Sequence, residues 1–375
     1  MSSPPRTKKP RARITSLGRF VPERVLTNAD LEKFVDTSDE WIRTRTGIER
    51  RHIVEPGTPT SAICVPAALD ALERRGIAAS ELDLIVVGTV TPDMVFPATA
   101  CLVQDQLGAS KAGAFDLSAA CTGFIYALNM GAQSIRSGSI KSALIIGTET
   151  LSRFINWKDR STCILFGDGA GAFVLQGSDQ PGGVLSAIMH SDGSGGDLLT
   201  IQAGGSRYPA TDATIHEGKH FIQMDGNEVF RFATRVMASA TREALDAANL
   251  KLEDVRWIIP HQANIRIIQA AARGLKLPMD RFIVNLENYG NTSTASIPMA
   301  MVEAIEKGQI EKGDKLVMVG FGAGLTWGAL AAEWTGPIPS KKHVSASQYR
   351  RFARLRSSVR RFLRFVEGLL YRREL

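Results

Sequence analysis

Apolar strands alternate with amphipathic helices from residue 14 to residue 337, and this constrains the chain more than any other feature. Strands are expected at 84–90, 114–117, 143–147, 255–260, 282–286 and 315–320. Helices are expected at 61–75, 101–107, 122–137, 228–248, 264–275 and 294–307. Strands interleaved with helices in this way form a mostly parallel sheet covered on both faces. A short echo divides the run. Ala68-Leu69-Asp70-Ala71 and Ala244-Leu245-Asp246-Ala247 each close a helix, and each is followed by a loop and an apolar strand. Two similar halves, 14–180 and 181–337, follow from that repeat. A chain of 375 residues is long enough for both.

The net charge of +7 misleads until it is divided. Residues 1–13 form a basic tail, residues 338–375 a second one, and the body between them is mildly acidic. The basic balance therefore implies appendages that seek an anionic surface, not a nucleic-acid-binding domain. No apolar run approaches the roughly 18 residues of a membrane span. The N-terminus lacks the apolar core of a secretory signal. Cys64, Cys101, Cys121 and Cys163 show neither metal-ligand nor disulfide spacing, so reduced thiols in a cytoplasm and no metal are expected.

Cys121 stands where a short apolar stretch, 114–117, gives way to the helix at 122–137. Helix N-termini present unpaired N–H groups and a positive field, which favours the nucleophilic thiolate. The plainer reading is a buried, inert cysteine. His261 follows the strand ending at Pro260, at the sheet edge where open α/β sheets bind ligands. Asn291 lies in the polar turn Asn288-Tyr289-Gly290-Asn291-Thr292-Ser293. Either could be structural, a satisfied histidine or a helix cap. Three such groups at strand ends from both halves converge in space. Gly167-Asp168-Gly169-Ala170-Gly171 resembles a phosphate loop, but a strand follows it where that motif needs a helix, so it reads as structural.

Longer runs carry a resemblance. They are Asn28-Ala29-Asp30-Leu31 through Asp39-Glu40-Trp41-Ile42-Arg43-Thr44-Arg45-Thr46-Gly47-Ile48, then Phe96-Pro97-Ala98, the Cys121 run, and Phe166-Gly167-Asp168-Gly169-Ala170-Gly171. Pro260-His261-Gln262-Ala263-Asn264, Tyr289-Gly290-Asn291-Thr292-Ser293 and Phe321-Gly322-Ala323-Gly324-Leu325-Thr326-Trp327-Gly328 complete the series. In this order they resemble a β-ketoacyl-acyl-carrier-protein synthase III of the thiolase superfamily, over about residues 14–336. The resemblance implies an α/β protein with the duplicated five-layered α-β-α-β-α thiolase-like fold, its sheets mixed and mostly parallel. It implies a catalytic Cys121–His261–Asn291 triad. A thiolase would need a second cysteine late in the chain, and none lies beyond Cys163. Elongating ketoacyl synthases carry a second histidine where this chain has Asn291. Chalcone-synthase-like proteins share Cys-His-Asn, but the runs at 39–48 and 261–264 favour synthase III.

The implied chemistry suits the residue types. Cys121 accepts an acyl group from an acyl-CoA, and a malonyl-acyl carrier protein then loses CO2 and attacks the acyl-enzyme. His261, neutral, and Asn291 would donate to the malonyl thioester oxygen. A second oxyanion hole would combine the Cys121 N–H with one from Gly322, Ala323 or Gly324. Ala323 replaces a glycine common in the family, which tightens the fit beside Cys121. Trp41, Arg45, Arg160 and Arg266 match positions that grip coenzyme A, by stacking on adenine and pairing with phosphate; without that match they would read as core and solvated surface. Phe96 matches a residue that reaches across a homodimer into the partner's acyl pocket. No cofactor is implied, because acyl-CoA and malonyl-acyl carrier protein are substrates. The rivals are a synthase III-like enzyme of secondary metabolism and a non-catalytic acyl-binding scaffold.

The C-terminal tail departs from the resemblance. Residues 338–348 read as a linker and 349–375 as a basic amphipathic helix. Phe352, Leu355, Val359, Phe362, Val366 and Leu369 form an a/d seam among nine arginines and two glutamates. That charge opposes a homodimeric coil. Peripheral contact with an anionic inner-membrane face fits better, with docking on an acidic carrier protein or on the acidic body as the alternative.

Overall fold

The computed structural model describes residues 9–337 and 346–371; the side chains of 346–351, 354 and 368–371 are not described. Most of the basic N-terminal tail and of the linker, and the seam position Leu369, thus lie outside the described residues. The strands are β1 (Arg11–Phe20), β2 (Val25–Thr27), β3 (Arg50–His52), β4 (Leu84–Gly88), β5 (Gly113–Leu117), β6 (Ser142–Glu149), β7 (Gly169–Ser178), β8 (Gly183–Ser191), β9 (Leu199–Ile201), β10 (Ile222–Met224), β11 (Trp257–Pro260), β12 (Lys315–Gly322) and β13 (Thr326–Glu333). The helices are α1 (Asn28–Leu31), α2 (Asp39–Thr46), α3 (Thr60–Arg75), α4 (Thr99–Leu107), α5 (Gly123–Arg136), α6 (Arg160–Cys163), α7 (Asp212–His216), α8 (Gly226–Ala247), α9 (Ile265–Leu275), α10 (Leu286–Tyr289), α11 (Ser296–Glu306) and α12 (Ala346–Tyr371).

Two sheets, in the orders β1-β7-β6-β4-β5 and β11-β12-β13-β8, lie on either side of α5 and α11. Phe124 and Leu128 of α5 and Ile297 and Met301 of α11 pack against Ile145 and Phe173 of the first sheet and Ile259 and Met318 of the second. The outer face of the first sheet is covered by α3 and α4, that of the second by α8 and α9. This gives five layers, α-β-α-β-α. The two inner helices must come close to the sheets: a Cβ on Gly147 of β6 would run into the Thr294 carbonyl.

Two local expectations change. Parallel pairing is confined to β4–β5, β4–β6 and β11–β12, while β1–β7, β6–β7, β12–β13 and β13–β8 are antiparallel. The sheets are mixed, but antiparallel pairs outnumber parallel ones. One cause is connection length: the three residues between β12 and β13 cannot make the crossover that parallel strands require. The strand expected at 282–286 is a single bridge, Ile258 to Phe282, and Leu286 already begins α10. The Gln262 side chain takes the missing strand partner's place. Its Nε2 donates to the Ile283 carbonyl at 3.1 Å and its Oε1 accepts from the Asn285 N–H at 3.1 Å.

The tail forms α12 and rests one face on α4. Ala353 is buried and would meet any side chain on Gly108, Ser357 Oγ donates to Asp105 at 2.6 Å, and Arg356 donates to Ser110 Oγ at 2.9 Å. Among the described residues no helix is long and apolar enough to cross a membrane.

Candidate active site

Strand β5 ends at Leu117, and a single 3-10 turn, Ala120–Thr122, leads into α5. Cys121 is the middle residue of that turn and is buried. The turn is held from the other half of the chain. Thr326 Oγ1 lies 3.0 Å from Thr122 Oγ1 and donates to the Ala119 carbonyl at 3.0 Å. Ala120 has φ +45°, and Ser293, which lines the same cavity beside the thiol, has φ +49°. Two left-handed non-glycine residues beside one thiol are the backbone strain that collects at functional sites.

The expectation that the helix start would leave a resting thiolate is corrected. Burial pushes the Cys121 thiol up to about 12, the Glu149 carboxylate adds to the rise, and the Ser293 hydroxyl opposes it. Cys121 rests as a thiol, because desolvation outweighs what the helix terminus offers.

His261 follows β11 and is buried against Phe321. Its Nδ1 is 2.7 Å from Ser296 Oγ, and that oxygen accepts from the Gln262 N–H at 3.4 Å. Either atom can donate in the 2.7 Å bond; with Ser296 donating to Nδ1, the imidazole proton stands on Nε2. Nε2 is buried without a partner among the described residues. Burial pulls the His261 pKa down to about 3, so the ring is uncharged.

Asn291 is fixed by three bonds. Its N–H donates to the Leu165 carbonyl, its carbonyl accepts from the Gly167 N–H, and its Oδ1 accepts from the Ser293 N–H at 2.8 Å. The side-chain Nδ2 remains as the donor for the cavity that Asn291 lines. The glycine-rich run is thus a clamp on Asn291. Asp168 within it is buried and accepts from the N–H groups of Val54 and Ser152, which leaves no cradle for phosphate.

Glu149, at the end of β6, was not expected. It is buried and accepts from the hydroxyls of Thr89, Thr91, Ser293 and Thr294 and from the Val90 N–H. Burial raises its carboxyl from 4.5 to about 7 against those donors. It joins the loop after β4 to the loop that carries Asn291 and Ser293.

Two cavities meet at Cys121. One, of about 90 Å³, is lined by Cys121, His261 and Asn291, by Phe230 of α8 and by Asn264 and Ile267 at the start of α9. The other, of about 230 Å³, is walled by Val90, Leu151, Phe166, Leu199, Ile201 and Ile222, with Ser293 and Ala323 beside the thiol. The triad expected from the sequence therefore borders one space. Gly322 approaches the Cys121 amide so closely that a Cβ there would sit 2.7 Å from its nitrogen. The Ala323 methyl is accommodated in the cavity wall, and Gly324, at φ +135°, takes a conformation that suits glycine.

The expected CoA residues also assemble. The Arg160 guanidinium lies 4.0 Å over the Trp41 ring and that of Arg45 4.7 Å from its centre. Asn264 caps α9 through the Arg266 N–H and donates to the Arg45 carbonyl at 3.0 Å, which joins α2 to α9. Arg266 lies over Phe230, a wall of the smaller cavity. Phe96 stands apart: it is 83% exposed and lines neither cavity of its own chain.

Residues 115–193 match the profile of 3-oxoacyl-[acyl-carrier-protein] synthase III, and residues 245–334 match that of its C-terminal part. A β-ketoacyl-[acyl-carrier-protein] synthase III of Desulfitobacterium hafniense is 54% identical over 322 residues, 86% of this chain and 97% of the relative. The chain belongs to the β-ketoacyl-acyl-carrier-protein synthase III family. A second member, from Roseiflexus, is 50% identical over 86% of this chain and 98% of its own length. The synthase III crystal structure from Aquifex aeolicus superposes with a TM-score of 0.80 at 46% identity, covering 86% of this chain and 99% of that one. The five-layered fold described above is that of the synthase III family.

Proposed function

We propose that this chain is the condensing enzyme that joins an acyl-CoA primer to malonyl-acyl carrier protein at the start of fatty acid synthesis, with Cys121, His261 and Asn291 as its catalytic residues. The observation that carries the reading is that these three side chains border one cavity, which opens at the thiol into a second, apolar one. Cys121 sulfur attacks the primer thioester carbonyl. The new carbon–sulfur bond replaces the bond to coenzyme A, and the thiol proton leaves with the coenzyme A sulfur. The acyl chain lies in the 230 Å³ apolar cavity. The malonyl thioester then enters the smaller cavity, and its carbon–carboxylate bond breaks to release CO2. The electron pair passes to the thioester oxygen, which accepts from His261 Nε2–H and Asn291 Nδ2–H. The enolate carbon attacks the acyl-enzyme, its carbon–sulfur bond breaks, and the Cys121 sulfur takes a proton from solvent.

Trp41 and the arginines at 45, 160 and 266 hold the adenine and phosphate end of the primer; the opening of Arg160 from Trp41 would admit the base. The enzyme acts as a homodimer. Strand β5 is a sheet edge with Phe115 42% exposed, and the exposed Met94, Val95 and Phe96 precede the helix that packs behind it. An uncovered apolar edge of that kind is a pairing surface. Four free cysteines fit a reducing cytoplasm, and the reaction needs no cofactor.

The test is the intact mass of the protein after incubation with a short acyl-CoA. An acyl adduct should appear on the wild type and be absent from Cys121→Ser. An adduct of equal yield on the variant would remove Cys121 as the nucleophile.

A further inference from the structure

We infer that α12 binds the surface of an anionic lipid bilayer through the apolar stripe it turns away from the body. This inference goes beyond the catalytic reading and does not depend on it. The helix has two opposed faces. Ala353 and Ser357 rest on α4, with Arg356 bonded to Ser110 at the margin. At the other side Phe352, Leu355, Val359, Phe362 and Leu363 recur at three- and four-residue spacing, in a stripe roughly 100° wide. Phe352 is 70% exposed, Leu355 63% and Phe362 64%. Arg360, Arg361 and Arg364 are exposed on the remaining surface. The docked face is made of small residues and the uncovered face of large apolar ones, so docking on α4 does not satisfy the stripe. It aims it outward.

Charge decides the occupant. Residues 349–375 hold nine arginines and two glutamates, so two copies of this helix laid stripe to stripe would bring like charges together. A bilayer with anionic headgroups meets both demands, since the stripe enters the headgroup boundary and the arginines pair with phosphate. Position separates the bilayer from a carrier protein. A carrier that delivers a thioester to Cys121 must reach the cavity lined by α8 and α9, on the second sheet's outer face. Helix α12 lies against α4, on the first sheet's outer face. Attachment through α12 therefore leaves the opposite layer, with Arg266 and the mouth, facing water.

The test uses the full chain and sedimented vesicles, either phosphatidylglycerol mixed with phosphatidylcholine or phosphatidylcholine alone. The wild type should pellet with the anionic vesicles and little with the neutral ones. Added salt should weaken binding but leave a residue due to the stripe. Leu355→Glu with Phe362→Glu should lower affinity tenfold or more, on the order expected when apolar burial is lost. Arg360→Gln with Arg361→Gln and Arg364→Gln should lower it by about fivefold per arginine at low salt. All substituted side chains are exposed, and condensation in free solution should stay within about twofold of the wild type, which verifies folding. Absence of wild-type binding, or equal binding by the stripe variant, overturns the inference. So would a lipid-free wild type that sediments as a larger species than the stripe variant, which assigns the stripe to a second copy. Retention of acyl carrier protein through the stripe, without vesicle binding, would likewise overturn it.

Discussion

Replacing Glu149 by Gln should change how stability depends on pH, and the size of the change can be worked out. The carboxyl titrates near 7 in the folded chain and near 4.5 when exposed. A carboxyl with a raised folded value gives its full stabilisation below the unfolded value and loses it as pH rises through the folded one. The whole span is about 3 kcal/mol, from about 2.5 units at 1.36 kcal/mol each. Between about pH 5.5 and pH 8.5 the wild type should lose about 2 kcal/mol relative to Glu149→Gln. Any difference between Gln and a neutral carboxyl as an acceptor for the surrounding hydroxyls is an offset that does not vary with pH. His261 has its own dependence, opposite in sign, and it cancels because both proteins contain it. Urea unfolding of both proteins at the two pH values, at one protein concentration, gives the difference. The variant should also react faster with iodoacetamide at Cys121, because the charge that raises the thiol is gone. A stability difference independent of pH would refute the argument that Glu149 is held against its ionisation.

His261→Ala and Asn291→Ala should each slow malonyl decarboxylation by on the order of 10²–10³, the cost of one oxyanion donor, while single-turnover acylation of Cys121 persists; stopped-flow release of CO2 beside quenched mass spectra separates the two steps. Gly322→Ala should slow acylation by a similar 10²–10³, since its Cβ would sit 2.7 Å from the Cys121 nitrogen and displace that donor, whereas Ala323→Gly should change the rate by less than about twofold. Trp41→Ala and Arg266→Ala should raise KM for the acyl-CoA primer and leave KM for malonyl-acyl carrier protein nearly unchanged, as initial rates with each substrate varied would reveal.

The helices of the body were legible because amphipathic spacing is a local signal: α3, α4, α5, α8, α9 and α11 begin and end within about two residues of expectation. Strands β1, β8 and β13 were missed, as were the short β2, β3, β9 and β10. The run Thr326–Glu333 is rich in alanine and carries little β signature, yet it is the second strand of a hairpin with β12 and pairs with β8 on its other side. Residues 282–286 looked like a strand because periodicity cannot show that the Gln262 side chain supplies their hydrogen bonds. Cys121, His261 and Asn291 stood out by residue type at strand ends. Glu149 did not, because what defines it is Ser293 and Thr294, more than 140 residues away, and no local pattern encodes that. The resting thiol at Cys121 was misread for the same reason, since burial comes from the whole fold. In α12 the apolar seam was visible, but the docking face was not, because Ala353 and Ser357 are small and carry no periodic apolar signal.

The two cavities that share Cys121 as a common wall suit the alternation that the proposed reaction requires. The apolar one is bounded by β9 and β10 and by residues of the first half, and the other is framed by α8 and α9. On the proposed reading, an acyl group left on the sulfur would occupy the first, and coenzyme A would leave the second before a carrier arm enters it. The sulfur works as a valve between a store and a corridor. A free thiol with an empty store offers the malonyl arm no carbonyl to attack, and a loaded one offers the next primer no nucleophile. Alternation between the two substrates then needs no hinge and no signal, only one sulfur that is either free or acylated.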